Sequence, residues 1–250
     1  MTGAAIPALM VHGFLGSGAD WQPVRRHLPA RPLWCPDLPG HGQAALAGPP
    51  SLSALADHLA LGLAARGWPR AHVVGYSLGG RIALTLAERH PQCIASLVLE
   101  GAHPGLTNPD ERRARQHQDE TWATRFRHEP LPQVVDAWYH QPLFAGLDET
   151  TRQHWIALRS QGDGAALAAV LSGCSLATQP DLRPVIARLA GPRHYVHGAR
   201  DARFAALASS WQRAQPALQV HTLAAGHNCH LEQPAAFAAL VAQLWSQTDD

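Results

Sequence analysis

Residues 71–81 read Ala71-His72-Val73-Val74-Gly75-Tyr76-Ser77-Leu78-Gly79-Gly80-Arg81, and this stretch decides the fold. An apolar run leads into a serine set between two glycines, and a helical pattern follows through Ile82, Ala83, Leu84, Leu86 and Ala87. Gly-x-Ser-x-Gly at a strand-to-helix turn is a nucleophile elbow, in which the serine hydroxyl stands clear at the top of a sheet. Gly75 and Gly79 allow neighbouring backbone to pass without a Cβ clash. The helix that begins there aims free N–H groups at any developing negative charge. A glycine-rich turn without chemistry is the alternative, and the strand–serine–helix context favours the elbow.

Outward from the elbow, strands and helices alternate. Ala8 to Val11 is a short apolar strand ending in His12-Gly13-Phe14-Leu15-Gly16, and Trp21 to Leu28 reads as a short helix. Leu33 to Cys35 is a second strand that runs into a turn-rich loop, Pro36-Asp37-Leu38-Pro39-Gly40-His41-Gly42. Ser51 caps a helix to about Arg66, with Leu52, Leu55, Leu59 and Leu63 on one face. Pro91 ends the elbow helix, and Ile94 to Leu99 is a continuous apolar run, as in a parallel strand buried on both faces. From 104 to 184 the rhythm changes to helical patterns over Asp110 to Phe126, Leu131 to Tyr139, Glu149 to Ser160 and Gly164 to Leu176. Strands resume at His194 to Val196 and Gln219 to Leu223, with helices at Phe204 to Ala214 and Pro234 to Trp245. The expectation is an α/β architecture with a mostly parallel sheet, residues 1–103 and 185–250 forming the core and 104–184 a helical cap.

Twenty basic side chains stand against nineteen acidic ones, a balance that leaves no electrostatic footprint for nucleic acid or an acidic membrane. Every basic residue is arginine, in keeping with a codon bias towards Ala, Pro and Gly, and arginine is the better bidentate clamp for carboxylates. The four cysteines, Cys35, Cys93, Cys174 and Cys229, are widely spaced and suggest reduced thiols. No signal pattern and no apolar run of membrane-spanning length appear, so a cytoplasmic enzyme without membrane insertion is expected.

An elbow serine needs a base, and the base needs an acid to orient it. In α/β-hydrolases these follow in the order Ser, Asp/Glu, His, each in a loop after a strand. Asp201, in His197-Gly198-Ala199-Arg200-Asp201, and His227, in Ala225-Gly226-His227-Asn228, occupy such loops. Asp201 could instead be a loop cap, and Asp37 competes with it but sits in a turn that suggests a structural role. The backbone N–H groups of Leu78 and Phe14 are the expected oxyanion hole, and His12 is expected to be structural. His227, Cys229 and His230 lack metal-ligand spacing, and nothing implies a metal or another cofactor.

The insertion carries more specific motifs. Glu100 to Leu106 with Arg112, Arg113 and Arg115, Glu129 to Leu131, Asp136 to Phe144, Ala157 to Ser160, and Ser175 to Leu182 together resemble the 2-succinyl-6-hydroxy-2,4-cyclohexadiene-1-carboxylate synthases of menaquinone biosynthesis. The resemblance runs from His12 to the last helix. It implies an α/β-hydrolase fold whose helical cap follows the sixth family strand. It also implies a lyase that eliminates pyruvate from a cyclohexene tricarboxylate. Ser77 would be the base that removes a ring proton, His227 would take the serine proton, and Asp201 would fix the imidazole. Arg81, Arg115 and Arg159 would bind carboxylates, and Tyr76 and Trp138 would line the pocket. Without the resemblance, exposed helical arginines are the plainer reading of Arg115 and Arg159. The partner implied is a small tricarboxylate, with the chain a monomer or weak homo-oligomer.

Two rivals share the same residues. A carboxylesterase or carbon–carbon bond hydrolase would use Ser77 as a covalent nucleophile and predicts an apolar pocket. A non-catalytic receptor for a small acid would not need Asp201 or His227.

Overall fold

The computed structural model describes residues 5–249, so residues 1–4 and 250 of the expected core lie outside the described residues. In chain order the elements are β1 (Ala8–Val11), α1 (Gln22–Arg25), β2 (Leu33–Trp34), α2 (Leu52–Ala65), β3 (Ala71–Tyr76), α3 (Leu78–Arg89) and β4 (Ile94–Glu100). Then come α4 (Pro109–His128), α5 (Leu131–Tyr139), α6 (Glu149–Arg159), α7 (Gly164–Gly173) and α8 (Val185–Arg188). The chain closes with β5 (Arg193–Gly198), α9 (Ala202–Ala214), β6 (Gln219–Leu223), α10 (Cys229–Glu232) and α11 (Pro234–Asp249). The six strands form one sheet in the order β2-β1-β3-β4-β5-β6, and every pairing is parallel.

Side chains alternate across this sheet, so each strand feeds two cores. Leu9, Val11, Val73, Leu97, Leu99 and Tyr195 join Leu55, Leu59 and Leu63 of α2, Ile82 of α3 and Trp211 of α9 on one face. Ala8, Met10, Val74, Val98 and Val196 meet Val24 of α1 and Phe237, Val241 and Trp245 of α11 on the other. Burial on both faces explains why β3 and β4 read as continuous apolar runs. The segment between β4 and β5 has no strand and has a core of its own, built on Ala123, Phe126, Val134, Val135, Trp155, Ile156 and Leu167.

Several boundaries differ from the sequence reading by a residue or more, and three of them have a clear local reason. The expected helix from Trp21 to Leu28 begins instead as a 3-10 turn at Gly18–Trp21, started by a Ser17–Asp20 capping box, and its α-helical part ends at Arg25. Helix α7 stops at Gly173 rather than Leu176, because the Ser175 hydroxyl accepts the Ala177 N–H at 3.1 Å and turns the chain. Helix α11 runs past Trp245 to Asp249, whose carboxylate accepts the Ile6 N–H at 3.2 Å and pairs with Arg31 at 2.9 Å.

Among the described residues no helix is long and apolar enough to cross a membrane.

Candidate active site

After β1 the chain builds outward to β2 and then crosses back to β3 on the other side, so the loops following β1 and β3 diverge above the sheet. That switch point is where open α/β sheets offer a crevice, and Ser77 sits on its rim. Ser77 has φ 50° and ψ −110°, and its N–H donates to the Glu100 carbonyl at 2.8 Å. The other non-glycine residue with positive φ is Leu15, at 64°, in the loop facing it across the crevice. Both strained residues of the described chain therefore flank one crevice, the usual location of stored backbone strain. A Cβ on Gly79 would come closer than 3.0 Å to the carbonyl oxygens of Val11 and His12, so α3 packs on β1 only because position 79 is glycine.

His227 and Asp201 meet in this crevice. His227 Nδ1 donates to Asp201 Oδ2 at 2.7 Å, and Asp201 Oδ1 accepts the Phe204 N–H at 3.1 Å. Asp201 is thus both the cap of α9 and the partner of the imidazole, so the two readings of it coexist. Burial opposes its charge, but the His227 hydrogen bond and charge and the Phe204 N–H outweigh this and hold the carboxyl below its ordinary range. His227 Nε2 has no hydrogen-bond partner among the described residues, which leaves it available to the Ser77 hydroxyl. The ring is seated by Phe204, 4.7 Å between centroids, and by Gly101, where a Cβ would fall 2.7 Å from its Cε1.

The loop after β1 is fixed by histidine chemistry rather than by catalysis. His12 Nε2 accepts the Leu38 N–H at 3.0 Å, so the ring proton is on Nδ1 and is donated to the Gly13 carbonyl at 2.8 Å. Asp37 likewise serves backbone, accepting the N–H groups of Gly18 and Gln43, both at 2.8 Å. These bonds hold Phe14 over the crevice opposite Leu78, whose N–H is among the first of α3 and has no partner within the helix. Beside Phe14, the His41 ring is buried against His12 and Phe14, with centroids 5.2 Å and 5.6 Å away. Burial brings His41 down from 6.5 to about 3. The unfolded chain therefore binds a proton between these values that the folded chain refuses, and this share of stability is full above pH 6.5 and is lost as pH falls towards 3. Between pH 7 and pH 5 the loss from this residue is about 2 kcal/mol. Urea unfolding of His41→Gln at the two pH values is expected to show a gap narrower by about that amount than in the parent.

A cavity of about 560 Å³ opens over Ser77, between the sheet and the helical segment. Ser77, Leu78, Phe14, Asp201 and His227 line it, and so do Arg81, Arg115 and Trp138. Arg81 donates through Nε to Gln179 Oε1 at 2.5 Å and through Nη2 to the Cys174 carbonyl at 2.6 Å. Burial, with Arg115 adding repulsion, brings Arg81 down to about 10, still charged at neutral pH. Arg115 is held by Asp119 through Nε at 2.8 Å. Trp138 packs at tilted and edge-on angles among Phe14, Trp122 and Phe126.

Two expected residues are placed elsewhere. Tyr76 lies behind the cavity wall, its ring between His227 and His230 at 5.4 Å and 4.7 Å, where it supports the imidazole loop. Arg159 does not reach the cavity over Ser77. It pairs with Asp20 at 2.6 Å and lines a separate cavity of about 460 Å³ beyond Leu15 and His41. A buried guanidinium needs a buried anion, and Asp20 supplies it from within the 3-10 turn before α1. Sequence reasoning missed Asp119, Gln179, Arg200 and Arg203, which position or join the cationic lining. The i,i+4 spacing of Arg115 and Asp119 was a readable signal; the Arg81–Gln179 contact, between distant segments, left none.

Residues 7–234 match the family model of the alpha/beta hydrolase fold. A curated relative from Enterobacter sp. (strain 638), 2-succinyl-6-hydroxy-2,4-cyclohexadiene-1-carboxylate synthase, is 45% identical over 94% of this chain and 90% of its own length. The chain belongs to that synthase family. A second synthase, from Yersinia pseudotuberculosis serotype O:3 (strain YPIII), is 44% identical over 95% of this chain and 86% of its own. Among solved structures, MenH from S. aureus superposes with a TM-score of 0.91 at 22% identity, covering 99% of this chain and 96% of that one. A thermophilic esterase from Thermogutta terrifontis, solved with malate bound, reaches 0.85 at 23%, covering 100% and 92%. At such identities the likeness speaks for the fold. That fold is common to the synthase family and to an esterase, so the reaction must be argued from the cavity.

Proposed function

We propose that the chain eliminates pyruvate from 2-succinyl-5-enolpyruvyl-6-hydroxy-3-cyclohexene-1-carboxylate to give 2-succinyl-6-hydroxy-2,4-cyclohexadiene-1-carboxylate, a step of menaquinone biosynthesis. The observation that carries this reading is the pair Arg81 and Arg115 on the cavity that Ser77 opens into. A pocket for simple esters has no use for two buried or half-buried guanidinium groups, whereas a substrate with several carboxylates requires them. The synthase names of relatives spanning almost the whole chain support the same conclusion.

In this reading Ser77 Oγ takes the ring proton and passes its own to His227 Nε2. Asp201 holds the imidazole tautomer and stabilises the imidazolium that forms. The electrons left on the ring are drawn into the succinyl ketone, whose developing enolate oxygen receives the N–H groups of Phe14 and Leu78. They return to form the new ring double bond as the carbon–oxygen bond to the enolpyruvyl group breaks; the enolate of pyruvate departs with that bond's electrons and takes up a proton to become pyruvate, while the proton gained from the ring leaves His227 and resets the triad. No water is consumed, and no acyl-enzyme forms. Trp138 and Phe14 supply an apolar wall for the ring.

The test is to supply the purified protein with the enolpyruvyl cyclohexene and follow pyruvate and diene absorbance, with p-nitrophenyl acetate assayed in parallel. Rapid pyruvate release with negligible ester hydrolysis is expected. Ester hydrolysis without pyruvate release would transfer the site to the carboxylesterase reading.

A further inference from the structure

Glu100 is the last residue of β4, and its side chain is wholly buried. Among the described residues it meets no arginine, and its one chargeable partner is His230, buried as well. His230 Nδ1 donates to Glu100 Oε1 at 2.9 Å, with Oε2 equally near, and the His230 N–H donates to Oε1 at 3.1 Å. Neither residue lines the cavity over Ser77. Taking a carboxylate out of water is costly, and an apolar pair of the same shape is often as stable or more so. Stability alone therefore does not account for this pair. Its directional bonds do something that packing cannot.

What those bonds hold is the segment that follows His227. Helix α10 is four residues long, and Asn228 before it makes no side-chain cap. The His230 N–H is one of the orphan donors at that helix start, and Glu100 satisfies it from β4. The His230 ring packs on Trp21 and Tyr76, with centroids 4.4 Å and 4.7 Å away, and Tyr76 in turn backs the His227 ring at 5.4 Å. The same short stretch of β4 meets the rest of the site directly. The Glu100 carbonyl accepts the Ser77 N–H, and Gly101, at φ 53°, lets the backbone run against the imidazole of His227. Residues 100 and 101 thus touch the elbow, the base and the helix after the base, and set their relative places.

We propose that Glu100 is a positioning residue: acting through His230, it fixes the loop that presents His227 Nε2 to Ser77. The inference rests on His227 as the base of the site, and it holds for proton abstraction and for ester cleavage alike. The hydrogen bond to Asp201 fixes the imidazole tautomer, whereas the place of the ring beside the elbow depends on the backbone that carries it. A shift of about 1 Å at a catalytic group costs about a hundredfold in rate.

The experiment replaces the pair by apolar residues of similar shape, Glu100→Leu with His230→Phe, and compares this double variant with Glu100→Gln, which keeps an acceptor for His230. Each is read by urea unfolding, by kcat and KM for pyruvate release, and by the low-field proton NMR signal of the His227–Asp201 hydrogen bond. The double variant is expected to match the parent in stability while kcat falls about tenfold to hundredfold, KM stays within about threefold and the NMR signal broadens. Glu100→Gln should keep kcat within about fivefold and retain the signal. A stable double variant with parental kcat and an unchanged signal would reduce the pair to packing and overturn the proposal. Should the double variant not fold, Glu100→Ala takes its place, with Ser96→Ala, which breaks a buried hydrogen bond to His72 near the other end of β4, as the control for instability alone. The kcat loss must then appear in the first and not in the second. A parent that hydrolyses p-nitrophenyl acetate and releases no pyruvate would remove the lyase reading, and kcat on the ester would decide the role of Glu100 by the same criteria.

Discussion

Ser77→Ala is expected to reduce pyruvate release by about a thousandfold or more, with KM within a fewfold of the parent. Loss of a positioned general base removes about 10² to 10⁴ in rate. In this cavity the methyl group leaves no other group at the elbow apex to accept the ring proton. The cavity arginines Arg81 and Arg115 lie on α3 and α4 and are untouched by the change. The separation of kcat from KM is the informative part, because an interaction made only in the transition state lowers kcat and kcat/KM together. Steady-state kinetics at saturating substrate measure it. A variant within tenfold of the parent would mean that His227 or another group takes the proton directly.

Gly79→Ala is expected to destabilise the fold by about 3 kcal/mol or more, at the upper end of what overpacking costs. The added Cβ would meet two backbone oxygens, of Val11 and His12, rather than a side chain able to rotate away. Relief requires α3 to lift from β1, which would move Leu78 and its N–H away from Phe14. Urea unfolding should show the loss, and the residual folded enzyme should turn over more slowly as well. A variant of parental stability would show that α3 and β1 are not in the close register described. Replacement at Gly67 supplies a contrast, since a Cβ there meets nothing within 4 Å and only its positive φ, 68°, resists.

How much of this was legible beforehand follows from how local each signal is. The elbow, the helix capped by Ser51 and the buried strands were readable because spacing and capping act over a few residues, and the Ser51 hydroxyl does accept the Ala54 N–H at 3.1 Å. The parallel sheet followed from the alternation of elements. The meeting of Asp201 with His227 was anticipated from position after strands, a rule of the fold rather than of the residues. Arg159 shows where such reading stops. Whether a helical arginine faces the crevice or turns to a buried acid is set by Asp20, far away in sequence and close only in the folded chain.

The pairing of β4 with β5, Leu97 beside Arg193, brackets the whole helical segment between them. No two strands of the sheet are joined by a hairpin, and this junction closes the longest loop of all. Closure entropy must be met before such contacts contribute, so the order of assembly is constrained. Helices α4 to α7, which pack chiefly on one another, α4 against α7 and α5 against α6, can condense while the strands on either side are still apart. As the chain leaves the ribosome, Ser77 is made long before the strands that carry its partners. Until β5 and β6 are in place, the open edge of β4 is a sticky surface, and expression at reduced temperature or with chaperone support should raise the yield of folded enzyme.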